Sequence, residues 1–221
     1  MEERSTLYAL FRCQVLAARA AADGAALAPL HPLLPPALVA PPPSAPSAPG
    51  PAVPAAPEDP ATSQRVLALL ASQGCAFATL AHCATRTCEE SAAVRGVEVA
   101  SGAKAMLLKC AKPLPHGSPY LLAVLSAARK ADLRALRGLL GQKSVSLASV
   151  EDVRALTGCV PGAVPPFGSL FKGVATYADP SVLDRGHINF NCGLQTLSVL
   201  GLPVADYARV ERPTRLAFST E

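Results

Sequence analysis

The stretch TGCVPGAVPPFGSL, Thr157 to Leu170, sets three glycines and three prolines into fourteen residues. Proline removes backbone freedom and an N–H donor. Glycine lets a ligand come close to the main chain. Together they predict a rigid surface, poor in side chains and shaped to receive a partner. A second candidate is Lys104 in SGAKAMLLK, which strand alternation places on the face of Met106 and Leu108, with Lys109 opposite. A lysine on an apolar face either snorkels to water at a strand edge or points into a pocket. In HINFNCG the same alternation puts His187, Asn189 and Asn191 on one face and Ile188, Phe190 and Cys192 on the other. That polar row either lines a cavity or faces solvent. Lys130, Arg134 and Arg137 recur at i, i+4 and i+7 on an expected helix. Such a basic stripe is a solvated face, or one that touches RNA phosphates without reading bases.

Other chemistries find little support. Cys159 inside the glycine loop has a nucleophile's residue type, but the sequence offers it no partner base. His82, Cys83 and Cys88 match no zinc spacing and read as a strand-end histidine with small half-buried thiols. There is no Walker A sequence, dinucleotide fingerprint, HExxH or GxSxG. No metal and no cofactor are expected. A net charge of +4 favours contact with a polyanion without requiring it. Seven scattered cysteines and no apolar leader after Glu2, Glu3 and Arg4 suggest reduced thiols and a cytoplasmic protein. No stretch reaches the length of a membrane span.

The elements that must position these residues follow from pattern. Leu7, Phe11, Val15 and Ala18 mark an amphipathic helix over Ser5–Ala22, assigned with its flanks to residues 1–28. Residues 29–61 form a Pro/Ala-rich linker. The folded domain is expected over 62–221. Thr62 or Ser63 should cap a helix closed by Gly74, and CAFATLAH reads as a strand. Thr87 and Glu90 form a capping box for a helix to about Arg95. KAMLLKCA and PYLLAVLSA are buried strands, RKADLRALRGLLG a helix and KSVSLAS a strand. Ser149 caps VEDVRALT, which leads into the glycine loop. GVATYAD, HINFNCG and LQTLSVLG are strands before a last helix started by Pro203. The interleaving predicts an α/β (α+β) fold, a mixed, barrel-like sheet core with helices around it.

GAKAMLLK, the YLLAVLSAARKADLRALRGLLG unit, TGCVPGAVPPFGSL and INFNCG together resemble the YbaK/ProX family over about Thr62 to Val210. These are aminoacyl-tRNA deacylases related to the editing domain inserted in bacterial prolyl-tRNA synthetases. The resemblance implies a mixed-sheet α/β fold and hydrolysis of the ester joining a wrong amino acid to tRNA. It places the family lysine at Lys104. The loop from Gly158 to Gly168 then borders the terminal adenosine and amino acid. Backbone N–H groups at Gly158 and Gly162 would stabilise the oxyanion, and Pro161, Ala163, Val164, Pro165, Phe167 and Gly168 would wall the substrate. His82, His187 and Asn191 match positions that flank the family pocket. Water would attack with help from the tRNA's ribose hydroxyl. The expected partner is mischarged aminoacyl-tRNA, with a synthetase as a further one. Two alternatives stand beside this: a tRNA- or synthetase-binding module without catalysis, and the subgroup acting on cysteine mischarged onto proline tRNA.

Overall fold

The structure, a computed structural model, describes residues 60–221 apart from Arg86; the expected N-terminal helix and nearly all of the Pro/Ala tract lie outside the described residues. The chain runs α1 (Ala61–Ser72), β1 (Ala78–Ala81), α2 (Cys88–Arg95), β2 (Ala103–Cys110), β3 (Tyr120–Ser126) and β4 (Lys130–Ala131). It continues with α3 (Leu133–Leu139), β5 (Val145–Leu147), α4 (Val150–Thr157), β6 (Ala175–Ala178) and α5 (Pro180–Leu183). Last come β7 (His187–Leu194), β8 (Leu197–Pro203), α6 (Val204–Glu211), β9 (Thr214–Arg215) and β10 (Ser219–Thr220).

A mixed sheet of order β5-β2-β3-β6-β9 forms the centre. β2 pairs antiparallel with β3 and β5, whereas β6 runs parallel to β3 and β9 parallel to β6. β3 reads as an unbroken apolar run because both its faces are covered. Leu122 and Val124 join Leu107 in a core with Val66, Leu70, Phe190 and Tyr207. Leu121 and Leu125 join Leu108 on the other side, with Leu136 and Phe218. A second sheet, β1-β8-β7, packs α1 against β7 and meets the first through a bridge between Gly102 and Asn189.

Several elements begin as their side chains dictate. The Thr87 hydroxyl accepts from Glu90 N and starts α2, and Ser149 accepts from Asp152 N and starts α4. α1 departs from expectation. Its N-cap is Pro60, while the Thr62 hydroxyl donates to Thr157 O and that of Ser63 to Pro60 O, so neither caps the helix. The expected helix over RKADLRALRGLLG is also shorter. Asp132 accepts from Arg134 N and Ala135 N and starts α3 there, while Lys130 pairs in β4 with Thr220 of β10. The basic stripe is therefore not one helical face: exposed Arg134 and Arg137 lie on α3 and exposed Lys130 on a strand. No helix among the described residues is long and apolar enough to cross a membrane.

Candidate active site

Lys104 is the second residue of β2, just after a 3-10 turn over Val99–Ser101. Its side chain is half-buried, and its ammonium donates to the Arg129 carbonyl at 2.6 Å. It lines a cavity of about 350 Å³ together with Thr85, Ser91, Arg95, Gly162, Val164 and Asn191. Among the described residues Lys104 forms no ion pair. Lys109, on the opposite face, pairs with Asp152 at 3.1 Å and lies over the Tyr120 ring.

Arg95 is the second cation of the cavity, and sequence reasoning missed it. It reads as an ordinary last-turn basic residue of α2. Its side chain reaches instead to β7 and β8, donating from Nε to Ser198 Oγ at 2.8 Å and from Nη2 to Asn191 Oδ1 at 2.6 Å. Burial pulls its pKa down to about 10, so it stays charged at neutral pH. Its partners are neutral, and it too lacks an ion pair among the described residues. Ser198 connects it to His82, whose Nε2 lies 2.7 Å from Ser198 Oγ and whose Nδ1 lies 2.7 Å from Cys83 O. A carbonyl only accepts, so Nδ1 carries the proton, and in the neutral ring Nε2 accepts from Ser198. His82 thus sits behind the cavity wall.

The glycine loop divides into parts with different duties. Gly158 has a φ of 69°, where glycine is favoured, and ends α4. Its N–H donates to Arg154 O, which removes it as an oxyanion donor and corrects the expectation drawn above. Val160 to Ala163 form a turn in which Ala163 N donates to Val160 O, with Pro161 and then Gly162 at φ 87° in the middle. Proline followed by a positive-φ glycine is the signature of a type II turn. Asn191 Nδ2 clamps the Gly162 carbonyl at 2.9 Å, and Gln195 Nε2 holds that of Pro161 at 3.1 Å. The Gly162 N–H makes no hydrogen bond to another described residue.

Beyond Val164 the loop turns inward. Ala163 and Phe167 are fully buried in the core, Phe167 edge-on to Phe190 and Tyr207. Pro165 and Gly168 are buried as well, and Gly168 N donates to Thr176 Oγ1. The Tyr207 hydroxyl donates to Pro166 O. Pro165, Phe167 and Gly168 are therefore core residues, and exposed Pro161 braces the rim. Cys159 is 1% exposed and packed in the core, where no substrate reaches it.

The polar row of β7 is also split, because bulges interrupt its pairing with β8 between Ile188 and Phe190 and again after Asn191. Asn191 reaches the cavity. Asn189 is 1% exposed and ties Ser101 Oγ to Gly201 N. His187 is exposed and opens on a different, wider cavity of about 980 Å³, with Arg129, Asp179, Asp184 and Arg185. His187 is thus not part of the Lys104 cavity. Among the described residues no cluster of three or more His, Cys, Asp or Glu side chains is gathered as a metal site requires.

Comparison with known proteins identifies the family. The aminoacyl-tRNA editing domain model matches residues 82–209, more than half of the chain. The chain is 39% identical over 159 residues to the multifunctional Ser/Thr-tRNA deacylase ProXp-y of Escherichia coli K12, covering 71% of this chain and 92% of that protein. The same protein from Escherichia coli O157:H7 matches equally. Two solved structures share the fold, each with a TM-score of 0.61. One is a protein of provisional assignment as a trans-editing enzyme for prolyl tRNA synthetase, 22% identical, with 72% of this chain and 98% of that chain covered. The other is the hypothetical protein APE2540, 20% identical, with 71% and 99% covered. The editing-domain match over residues 82–209 and the 39% identity to a tRNA deacylase lead to one assignment: the chain belongs to the YbaK/ProX family of aminoacyl-tRNA deacylases.

Proposed function

We propose that this protein removes serine or threonine from mischarged tRNA by hydrolysing the ester to the terminal ribose, as a freestanding editing enzyme of the cytoplasm. One observation carries the reading: Lys104 and Arg95 converge on one small cavity that Gly162 also lines. An aminoacyl ester needs no protein nucleophile. Water adds to the carbonyl carbon, the carbonyl oxygen becomes an oxyanion, and collapse expels the ribose oxygen, which takes up a proton to leave free amino acid and tRNA. Lys104 holds one N–H on Arg129 O and keeps two for the substrate. Its charge favours the developing oxyanion, as does the uncommitted Gly162 N–H. Donors of this kind contribute about 3–4 kcal/mol each in other enzymes. Arg95 adds positive potential for the oxyanion or the terminal phosphate. Among the described residues the cavity wall carries one carboxylate, that of exposed Glu98, and in this reading the tRNA's own ribose hydroxyl relays the proton.

The name of the curated relative supports serine and threonine as the amino acids. The test is deacylation of one tRNA charged in turn with serine, threonine, alanine and cysteine. Turnover of the first two, strongly slowed in Lys104→Ala, is expected; no turnover of any would overturn the reading. A synthetase partner held by residues 1–59 is tested by truncation before Pro60, which keeps the start of α1 and should leave hydrolysis intact while removing complex formation.

A further inference from the structure

We propose that the Thr85 hydroxyl recognises the amino acid's side-chain hydroxyl, and does so as an acceptor. The inference rests on the deacylase reading above and adds the atom that chooses the substrate. The cavity has a buried floor and an open mouth. Thr85, Ser91, Ala92 and Ala103 are each less than a tenth exposed, whereas Gly162 and Glu98 at the rim are exposed. An RNA end enters from the mouth, so the small side chain is the part that goes to the floor.

Hydrogen-bond direction on that floor is fixed. Ser91 Oγ lies 2.9 Å from the Thr87 carbonyl, which only accepts, so Ser91 commits its one proton there. Thr85 Oγ1 lies 2.8 Å from Ser91 Oγ and must therefore donate to it. The chain of protons runs from Thr85 to Ser91 to the Thr87 carbonyl. Its open end is the oxygen of Thr85, which has donated its proton and retains acceptor capacity. A serine or threonine side chain brings the O–H that fits. Valine brings a methyl group in its place, and alanine only a hydrogen atom. A site built to bond a hydroxyl discriminates against the analogue that lacks it.

The experiment charges one tRNA with serine, alanine, threonine and valine and compares kcat/KM across the set for wild type, Thr85→Val, Thr85→Ser and Lys104→Ala. Threonine and valine differ by a hydroxyl at nearly equal size. Thr85→Val should lower the Thr/Val and Ser/Ala preferences by about tenfold or more, with alanine and valine turnover unchanged or raised. Thr85→Ser should restore the preference, and Lys104→Ala should slow all four substrates alike. A parallel loss on all four in Thr85→Val, or unchanged ratios, overturns the inference and leaves the deacylase reading standing. Wild-type protein inactive on every substrate overturns both.

Discussion

The two cavities share the wall of Val97 and Glu98 but treat charge in opposite ways. In the wider one much of the charge is already matched. Asp179 accepts from Ser181 N, Phe218 N, Ser219 N and Ser219 Oγ, Asp184 takes both guanidinium nitrogens of Arg215, and Arg129 faces Glu221. In the narrower one Lys104 and Arg95 touch only neutral acceptors among the described residues. Burying a cation without a counter-charge is unfavourable unless a ligand supplies the missing anion. The narrower cavity is the one left waiting for a negative charge, and volume alone would have picked the other.

Four substitutions would break or sharpen that contrast. Lys104→Ala should lower kcat/KM for deacylation by about 10²–10³-fold without moving the melting temperature; an unchanged rate would remove the lysine from the reaction. Asp179→Ala should do the reverse, costing about 2–3 kcal/mol of stability in denaturant titration while the folded fraction keeps its activity. Burial pushes the Asp179 carboxyl up, but the hydrogen bonds it accepts from Ser181, Phe218 and Ser219 outweigh this and hold it below the usual range. Its stabilising effect is thus present above the unfolded value of about 3.9 and lost as pH falls through the lower folded value. The stability gap between wild type and Asp179→Ala should close on acidification below about pH 4. A gap independent of pH would mean that the carboxylate charge is not what holds the C-terminal segment.

Arg95→Lys keeps the charge but loses the planar fork that bonds Ser198 from Nε and Asn191 from Nη2, and a fall of about tenfold in kcat/KM is expected. Full activity in this variant would reduce Arg95 to a generic source of potential. His187→Ala should be the mildest, within about twofold of wild type for a small aminoacyl-adenosine ester, since its side chain opens on the wider cavity. A large loss there would erase the distinction between the two sites.

Much of the frame was legible because local chemistry and final structure agree. The Thr87–Glu90 capping box, the Ser149 cap and the two apolar runs of the central hairpin each act within a few residues. Lys104 was legible as a lysine on an apolar strand face. Arg95 was not, because its meaning comes from Ser198 and Asn191, about a hundred positions away on two neighbouring strands of the second sheet. Lys130 misled for a similar reason: its partner strand is at the far C-terminal end of the chain. Alternation in β7 failed at its bulges, which no simple two-residue period anticipates. The glycine loop was read as one surface, yet of its residues Gly162 and Val164 line the cavity. The prolines and glycine after Val164 instead anchor the Gly162 turn to the core.

Lys104 stands across from Leu125 in the antiparallel pairing of β2 with β3. A shift of one position along that hairpin would exchange the faces of every side chain and send the ammonium toward the layer that holds Leu107 and Val124. Such a mis-zipped molecule would keep its strand content and much of its spectroscopic appearance while losing its chemistry. Turnover per mole, measured against circular dichroism during refolding, would then count the molecules whose central ribbon has closed in the right alignment.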